Sequence, residues 1–277
     1  PSVYTIESSF SLNEPTKEGY TFIGWTAKDQ TIPTKNIKVD KGTTGNLTFT
    51  ANWVANKYNV TIDVNGGNIS QNKYTFIYDS DYNISIPTKE GYTFSKFVYD
   101  NNLECDSSGT WKIAKDVTLK AIYTANTNTI YTINYYLENL DGNGYTKKES
   151  EICYGTSDTN VTVYCKMFDG FSKQNYSKRV YIKPNGTASV DFYYTRNSYT
   201  LSFVCNGGDA IENRTLKYEE EIPNNIKPIR EGYTFENWYA NIEQTEFLKT
   251  MPAHNTNLYA YYSEETKVNH FDYLLNG

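Results

Sequence analysis

Apolar and polar residues alternate over short stretches along most of the chain. Residues 57–64 read Lys-Tyr-Asn-Val-Thr-Ile-Asp-Val, and residues 117–123 and 188–194 show the same period of two. This period is typical of half-buried β-strands, whereas no long stretch has apolar residues at the i, i+3, i+4, i+7 spacing of a helix. The pattern therefore predicts a mainly β fold made of short strands.

One short phrase, Pro-x-(Lys/Arg)-Glu-Gly-Tyr-Thr-Phe-x-x-(Trp/Phe), occurs three times. Its copies occupy residues 15–25, 87–97 and 228–238. Gly19 and Gly91 are 72 residues apart, and Gly91 and Gly232 are 141 residues apart, which is close to twice that step. Self-similarity at a fixed period marks a repeat architecture. We therefore expect tandem small modules that form an elongated multi-domain array.

The phrase has a physical interpretation as a turn that feeds an aromatic strand. Proline suits the entry to a strand, and the glycine is free to adopt a positive φ in the turn. Tyr20 and Phe22 are two residues apart and share one face, whereas Trp25 is three residues beyond Phe22 and needs a bulge to join them. We predict that these rings and their counterparts are core.

The repeats predict four modules and a tail. We assign residues 1–55 to a first repeat, 56–125 to a second, 126–197 to a different β module, 198–263 to a third repeat, and 264–277 to a linker or the start of another domain. In the first repeat we predict strands at Val3–Ile6 and Leu47–Trp53. Nothing in that repeat matches the opening strand Tyr58–Val64, so we expect the sequence to start partway through a repeat.

The three repeats resemble the Listeria–Bacteroides surface repeat, the family that includes the B-repeat of internalin-type invasion proteins. The resemblance rests on the phrase, on an opening strand that ends in Asn-Gly-Gly (65–67 and 206–208), and on a closing strand with alanine before an aromatic residue. It implies small ubiquitin-like β-grasp modules on the surfaces of Gram-positive and related bacteria. Phe97 replaces the usual tryptophan of the phrase.

Residues 126–197 resemble a mucin-binding-protein type repeat, which is also β-grasp-like. The basis is Tyr135-Tyr136, an Asp-Gly turn, Phe168–Phe171 and the closing strand Val190–Tyr194. The resemblance does not imply that this chain binds mucin.

Charge and composition exclude several classes of protein. The net charge is −6 and the pI about 5.1, without a Lys/Arg cluster, so we expect no nucleic-acid partner. No apolar run reaches the ~18 residues of a membrane span. The chain opens without a charged n-region and an apolar h-region, so we expect a signal peptide to be missing or already removed. We expect a monomer.

The four cysteines do not form a zinc or redox motif, because no Cys-x-x-Cys spacing occurs. Cys205 aligns with Val64 inside an alternating strand, which predicts a buried free thiol. Cys153 and Cys165 are close enough in sequence for a disulfide, and the sequence leaves their pairing open.

The sequence does not assemble the residues of a catalytic site. The only histidines, His254 and His270, fall in a loop and in the tail. Residues 219–221 are three glutamates, which we interpret as a solvated charge run. Residues 141–144, Asp-Gly-Asn-Gly, lack the later ligands of a calcium loop and predict a turn. We therefore expect no enzyme activity, no cofactor and no catalytic, cofactor or metal site.

Aromatic side chains are the remaining candidates for binding. In the doublets Tyr135-Tyr136, Tyr193-Tyr194 and Tyr261-Tyr262, one ring must point away from the core face. Trp111 is likewise unconstrained by an alternating pattern. These rings are candidates for contacting a sugar or a protein, but the sequence does not identify the ligand.

Two functions follow as hypotheses. The first is a non-catalytic fragment of a bacterial cell-surface or secreted protein, whose stalk or adhesin modules project from the surface or contact a host or cell-wall protein or glycan. The alternative is an accessory segment, with carbohydrate binding, of a large secreted enzyme.

Overall fold

The computed structural model describes residues 2–266, and these residues form 21 β-strands and no helix. The mainly β prediction is therefore confirmed. Contacts divide the chain into two compact units, residues 1–127 and 128–277. The assigned tail, including His270, lies largely outside the described residues.

The first unit contains the first two repeats. Its strands are β1 Phe10–Ser11, β2 Tyr20–Thr26, β3 Lys38–Val39, β4 Thr50–Ala55, β5 Lys57–Asp63, β6 Lys73–Ile77, β7 Asp81–Asn83, β8 Tyr92–Tyr99, β9 Leu103–Cys105, β10 Ser108–Thr110 and β11 Val117–Ala125. In the second repeat, five strands form a sheet of order β6-β5-β11-β8-β9, and β7 pairs with β10. In the first repeat, β1 pairs with β3 and β2 with β4.

The second unit contains the remaining modules. Its strands are β12 Thr129–Glu138, β13 Tyr145–Gly155, β14 Asn160–Tyr164, β15 Phe171–Lys173, β16 Ser177–Tyr181, β17 Ala188–Arg196, β18 Ser198–Val204, β19 Arg214–Lys217, β20 Tyr233–Tyr239 and β21 Thr256–Glu264. They form sheets of order β13-β12-β17-β15 and β19-β18-β21-β20, and β14 pairs with β16.

The opening and closing strands lie side by side at the centre of three sheets. β5 pairs in parallel with β11, β12 with β17, and β18 with β21, and the flanking strands are antiparallel. The central strands are paired on both edges, and their inward positions are apolar. This placement explains why alternation was clearest in the opening and closing strands.

The bulge predicted inside the phrase is present in all three copies. The register against the closing strand shifts between Phe22 and Gly24 of β2 and between Phe235 and Asn237 of β20. In the β8–β11 pair, it shifts between Ile122 and Tyr123 of β11. The shift brings the two rings of the phrase together, with centroids 5.4 Å apart for Phe22–Trp25 and for Phe235–Trp238.

The rings of the phrase contribute to the cores. Phe22, Phe97 and Trp238 are buried, and Phe97 is fully inaccessible to solvent. The indole N–H of Trp238 donates to the Ile226 carbonyl at 2.8 Å. The tyrosines of the phrase are only half-buried, so the prediction that they belong to the core was wrong for them.

Trp111 is a core residue, so its candidacy for binding was wrong. Its side chain is 1% exposed, and its ring lies 5.0 Å from that of Phe76 and 5.2 Å from that of Tyr82. The segment around Trp111 shows no apolar alternation because the ring is buried by two strands distant in sequence.

Two strand predictions in the first repeat were wrong. Residues 2–5 have no regular structure, and Leu47–Phe49 precede β4, so the predicted closing strand begins only at Thr50. In the second repeat, the counterpart of Val3–Ile6 is β6, which pairs with β5. The counterpart of Leu47–Phe49 is Val117–Leu119, which pairs only with β5. The described part of the first repeat has no strand equivalent to β5, so both segments lack their partner.

The phrase glycine of the first repeat packs against the second repeat. Gly19 has a φ of +76°, and a Cβ added there would lie 2.3 Å from Cγ of Tyr78. The Asn56 N–H donates to the Gly19 carbonyl at 2.9 Å, and the Tyr78 N–H donates to the Asn56 carbonyl at 2.9 Å. The two repeats therefore meet through a close backbone approach.

The same joint recurs in the second unit, at a glycine that does not belong to the phrase. Gly170 has a φ of +77°, and a Cβ there would lie 2.1 Å from Cδ1 of Tyr218. The Asn197 N–H donates to the Gly170 carbonyl at 2.9 Å, and the Tyr218 N–H donates to the Asn197 carbonyl at 2.8 Å. Arg196 adds an ion pair of 2.6 Å to Glu219, so one of the three glutamates has a structural role at this joint.

All four cysteines are free thiols, which answers the question left open for Cys153 and Cys165. Cys105 is buried, whereas Cys205 is only half-buried at the edge of its core. The prediction that the Cys205 thiol is buried was therefore wrong. The cause is its position one residue beyond the end of β18.

We expect residues 126–197 to lose stability at alkaline pH. Burial raises the pKa of Tyr194 from 10.0 to about 12. Because the folded module holds this proton more tightly than the unfolded chain, the stabilisation is complete below about pH 10 and disappears as the pH rises towards 12. The full shift corresponds to roughly 2–3 kcal/mol, of which about half is lost at pH 11. Urea unfolding at about pH 8 and pH 11 measures the loss, and a Tyr194→Phe variant with the same loss would contradict this assignment.

Candidate interaction surface

A layer of tyrosine rings lies on the outer face of the sheet in residues 126–197. β12 and β17 run in parallel with Tyr136 opposite Tyr193. Their neighbours Tyr135 and Tyr194 are 1% exposed and point into the core. The period of a strand therefore sends Tyr136 and Tyr193 to the opposite face, which confirms the expectation that one ring of each doublet points away from the core.

The outer rings form an ordered stack, which we call the tyrosine platform and define as Tyr136, Tyr145 and Tyr193. The rings of Tyr136 and Tyr193 are stacked with centroids 5.1 Å apart and planes at 18°. Tyr145 meets Tyr193 edge-on at 5.0 Å and 73°. Gln174 fixes Tyr145 by donating from Nε2 to its hydroxyl at 2.8 Å.

Polar groups border the platform. Asn134 lies two residues before Tyr136, and its Nδ2 donates to Oδ1 of Asp191 at 2.7 Å. Ser150 donates to Oδ1 of Asn134 at 2.8 Å. Lys178 donates from Nζ to the Asp191 carbonyl at 2.6 Å, and its Nζ lies 5.8 Å from the ring centroid of Tyr193.

The surroundings of Tyr136 favour its neutral form. Partial burial, with the nearby Asp191 carboxylate, raises the pKa of Tyr136. Its hydroxyl is therefore a neutral donor and acceptor at physiological pH. Ring faces beside a carboxylate and an ammonium group suit a ligand with a flat apolar face and polar edges.

The sequence pointed to two of the three platform residues. Tyr136 and Tyr193 came from the doublets, whereas no local pattern indicated Tyr145. Its position depends on the pairing of β13 with β12, where Tyr145 faces Glu138. In the third doublet, Tyr261 belongs to a separate cluster, in which Tyr239 lies 6.0 Å from Tyr261 and 4.4 Å from Phe247, whereas Tyr262 packs against the core.

The other sequence candidates remain separate from the platform. His254 is exposed, and its Nδ1 lies 2.9 Å from the Asn255 carbonyl oxygen. Asp141–Gly144 form a turn, in which the Asn143 N–H donates to Oδ1 of Asp141 at 2.8 Å. Within residues 2–266 no cluster of three or more metal-ligating side chains occurs.

Comparison with known proteins identifies the repeats. A family model described as the Listeria-Bacteroides repeat domain matches residues 2–52, 58–122 and 199–261. These segments include all three copies of the phrase, so the family resemblance inferred from the phrase is confirmed.

Three relatives give the same picture. A protein of Evansella cellulosilytica named as a Gly-rich membrane protein is 28% identical over 251 residues, 84% of this chain and 28% of the relative. Another protein of the same organism, named as a membrane protein, is 28% identical over 247 residues, which is 83% of this chain and 35% of the relative. Internalin H of Listeria monocytogenes is 35% identical over 122 residues, 41% of this chain and 21% of internalin H.

This chain therefore spans about a third or less of the length of these relatives. Two of them are named as membrane proteins. Among the described residues of this chain, no helix is long and apolar enough to cross a membrane.

Proposed function

Because this chain belongs to the Listeria-Bacteroides repeat domain family, we propose that it is a non-catalytic repeat region of a bacterial surface or secreted protein that contacts a cell-wall or host glycan. The repeats and the similarity to internalin H support a surface-protein repeat region. The tyrosine platform is the observation that supports the proposed glycan contact.

The platform favours a glycan for a chemical reason. A pyranose ring presents C–H groups on one face and hydroxyls around its rim. The rings of Tyr136 and Tyr193 offer aromatic surface to the C–H face, and the half-buried Asp191 carboxylate next to them is an acceptor for the hydroxyls. Tyrosine supplies this contact at a low cost in conformational entropy, because it has only two side-chain torsions.

The modular part of the proposal rests on the sheets. We propose four β-grasp-like modules with boundaries at 1–55, 56–125, 126–197 and 198–263. The parallel pairing of opening and closing strands in three of them and their separate hydrophobic clusters support this division. We also propose that the chain is a monomer at an extracellular location.

We expect the double substitution Tyr136→Ser and Tyr193→Ser to weaken glycan binding by at least about tenfold, as expected for loss of a central aromatic contact. The measurement uses a glycan array and isolated peptidoglycan sacculi, with circular dichroism to verify folding. The matched control is Tyr154→Ser, because Tyr154 is 64% exposed on β13 but does not belong to the platform. Equal binding by the wild type and the folded double variant would contradict the proposal, as would no binding by the wild type.

The platform supports equally the alternative function, an accessory carbohydrate-binding segment of a large secreted enzyme. The two proposed functions predict different flanking sequences in the gene. A catalytic domain encoded in the same reading frame favours the enzyme, whereas a cell-wall sorting signal favours the surface protein.

A further inference from the structure

Four Asn-Gly steps lie within the described residues, and each brings together the groups that react in spontaneous deamidation. They are residues 65–66, 143–144, 185–186 and 206–207, whereas a fifth step, 276–277, lies outside the described residues. Glycine leaves its own backbone nitrogen open to reaction, because it has no Cβ. All four asparagines are exposed, so exposure alone does not rank them.

The reaction joins the asparagine side chain to the following backbone nitrogen. The glycine nitrogen gives up its proton to solvent and bonds to Cγ of the asparagine, while the bond from Cγ to Nδ2 breaks and Nδ2 leaves as ammonia. Water then opens the resulting succinimide ring to aspartate or isoaspartate. The reaction needs no enzyme, but it requires a side chain that is free to rotate and a glycine N–H that is free to react.

In the two Asn-Gly-Gly turns, the asparagine side chain is held by a hydrogen bond. Nδ2 of Asn65 donates to the Ala121 carbonyl at 3.1 Å, and Nδ2 of Asn206 donates to the Ala260 carbonyl at 2.7 Å. Both acceptors belong to closing strands, β11 and β21. Attack on Cγ requires these bonds to break, which costs free energy and slows the reaction.

At Asn185, both reacting groups are engaged. Oδ1 of Asn185 accepts from the backbone N–H of Thr187 at 3.1 Å and from the Thr187 hydroxyl at 2.7 Å. The N–H of Gly186, whose nitrogen would attack, donates to the Lys183 carbonyl at 3.0 Å. Three hydrogen bonds therefore oppose the reaction at this step.

Asn143 has neither restraint. Within residues 2–266, neither its side chain nor the Gly144 N–H makes a hydrogen bond. The Asn143 N–H donates to Oδ1 of Asp141 at 2.8 Å, and Nδ2 of Asn139 donates to the Asn143 carbonyl at 2.8 Å. The second bond stabilises the anion that forms when the Gly144 nitrogen loses its proton, because the charge is shared with this carbonyl oxygen.

This activation is common to three of the steps, so the side chain decides between them. Nζ of Lys89 donates to the Asn65 carbonyl at 3.3 Å, and Nη1 of Arg230 donates to the Asn206 carbonyl at 3.1 Å. The attacking nitrogen is therefore activated in both Asn-Gly-Gly turns as well. Among these three described steps, only at Asn143 is the side chain under attack unbound.

We propose that Asn143 is a site of spontaneous deamidation and that its isoaspartyl product reshapes the turn before the tyrosine platform. In this turn, the Asn139 N–H donates to the Gly144 carbonyl at 3.0 Å, and Tyr145 of the platform follows directly. Isoaspartate routes the chain through its side chain, so it adds one methylene between Asn139 and Gly144 and a carboxylate beside them. The proposal does not depend on whether the platform binds a glycan.

Peptide mapping by mass spectrometry measures the four rates on the folded full chain. The chain is incubated at mildly alkaline pH in water enriched in heavy oxygen, whose incorporation identifies deamidation that occurs during the incubation. We expect Asn143 to react at least about fivefold faster than Asn65, Asn185 and Asn206, the factor that corresponds to one hydrogen bond of ordinary net strength. A rate at Asn143 no higher than at these three sites would overturn the proposal.

The same chain in urea provides the matched control, because unfolding removes the hydrogen bonds and leaves the sequence unchanged. We expect the four rates to converge to within about threefold, the scatter that residual structure in the unfolded chain allows. Persistence of the full difference in urea would show that neighbouring residues, rather than the folded turns, set the rates, and would overturn the structural argument.

The effect on the turn is tested on the purified isoaspartyl chain. The control is the Asn143→Asp variant, which gains the same charge without the added methylene. The ring resonances of Tyr145 in NMR spectra are expected to shift in the isoaspartyl chain and to stay close to those of the wild type in Asn143→Asp. Unchanged Tyr145 resonances in the isoaspartyl chain, or equal shifts in the two chains, would overturn the proposed reshaping of the turn.

Discussion

Replacing Phe97 by alanine is expected to unfold the second repeat. Phe97 is completely buried, lies 4.8 Å from the ring of Phe94, and belongs to the cluster formed by Val60, Leu119 and Ala121. Loss of a buried phenylalanine costs roughly 3–5 kcal/mol, because packing is lost and a cavity remains. A module of ~70 residues has little more stability than this.

Hydrogen exchange and urea unfolding measure the effect on residues 56–125, and the amides of residues 198–263 are expected to keep their protection. The control is Leu103→Ala in the same sheet, because Leu103 is 53% exposed and should cost less than about 1 kcal/mol. A Phe97→Ala chain with unchanged stability would show that the phrase does not form the core of the repeat.

Gly19→Ala is expected to destabilise residues 1–127 more than Gly232→Ala destabilises residues 198–263. The two glycines occupy the same position of the phrase and have the same φ of +76°, so both substitutions carry the ~1–2 kcal/mol strain of a left-handed alanine. Only at Gly19 does the new Cβ meet the ring of Tyr78, at 2.3–2.5 Å, whereas nothing lies within 4 Å at Gly232.

The overlap with the ring adds roughly 1–3 kcal/mol, the usual cost of overpacking. Urea unfolding of the two variants, each compared with the wild type, measures the difference. Equal destabilisation would show that the Tyr78 ring moves aside without cost, and that the joint between the first two repeats does not depend on Gly19.

The sequence was informative where local patterns decide structure. Period-two alternation located the opening and closing strands, and the three-residue step from Phe22 to Trp25 predicted a bulge that is present in every copy. These features depend on the direction of each side chain relative to its own strand, so a single sequence is sufficient to predict them.

Features that depend on distant partners were missed. Trp111 is buried because rings from two other strands cover it, and Val3–Ile6 are not a strand because the described part of the first repeat offers no opening strand to pair with. The joint at Gly170 was missed because it requires knowing that Tyr218 packs against that glycine.

The candidate site was predicted in part for the same reason. The doublets indicated that Tyr136 and Tyr193 leave the core face, since adjacent residues in a strand point to opposite sides. Their stacking depends on the register of β12 against β17, and the approach of Tyr145 depends on β13. No short-range pattern in the sequence encodes either register.

Native-state hydrogen exchange of the unmodified chain tests most directly the central claim that each complete module has its own core, built on a central parallel pair of strands that the described part of the first repeat lacks. We predict three separate groups of protected amides, in β5 and β11, in β12 and β17, and in β18 and β21. We also predict that Leu47–Phe49 exchange faster than their counterparts Val117–Leu119. Equal protection of these two segments, or a single protected group shared by all modules, would contradict the claim.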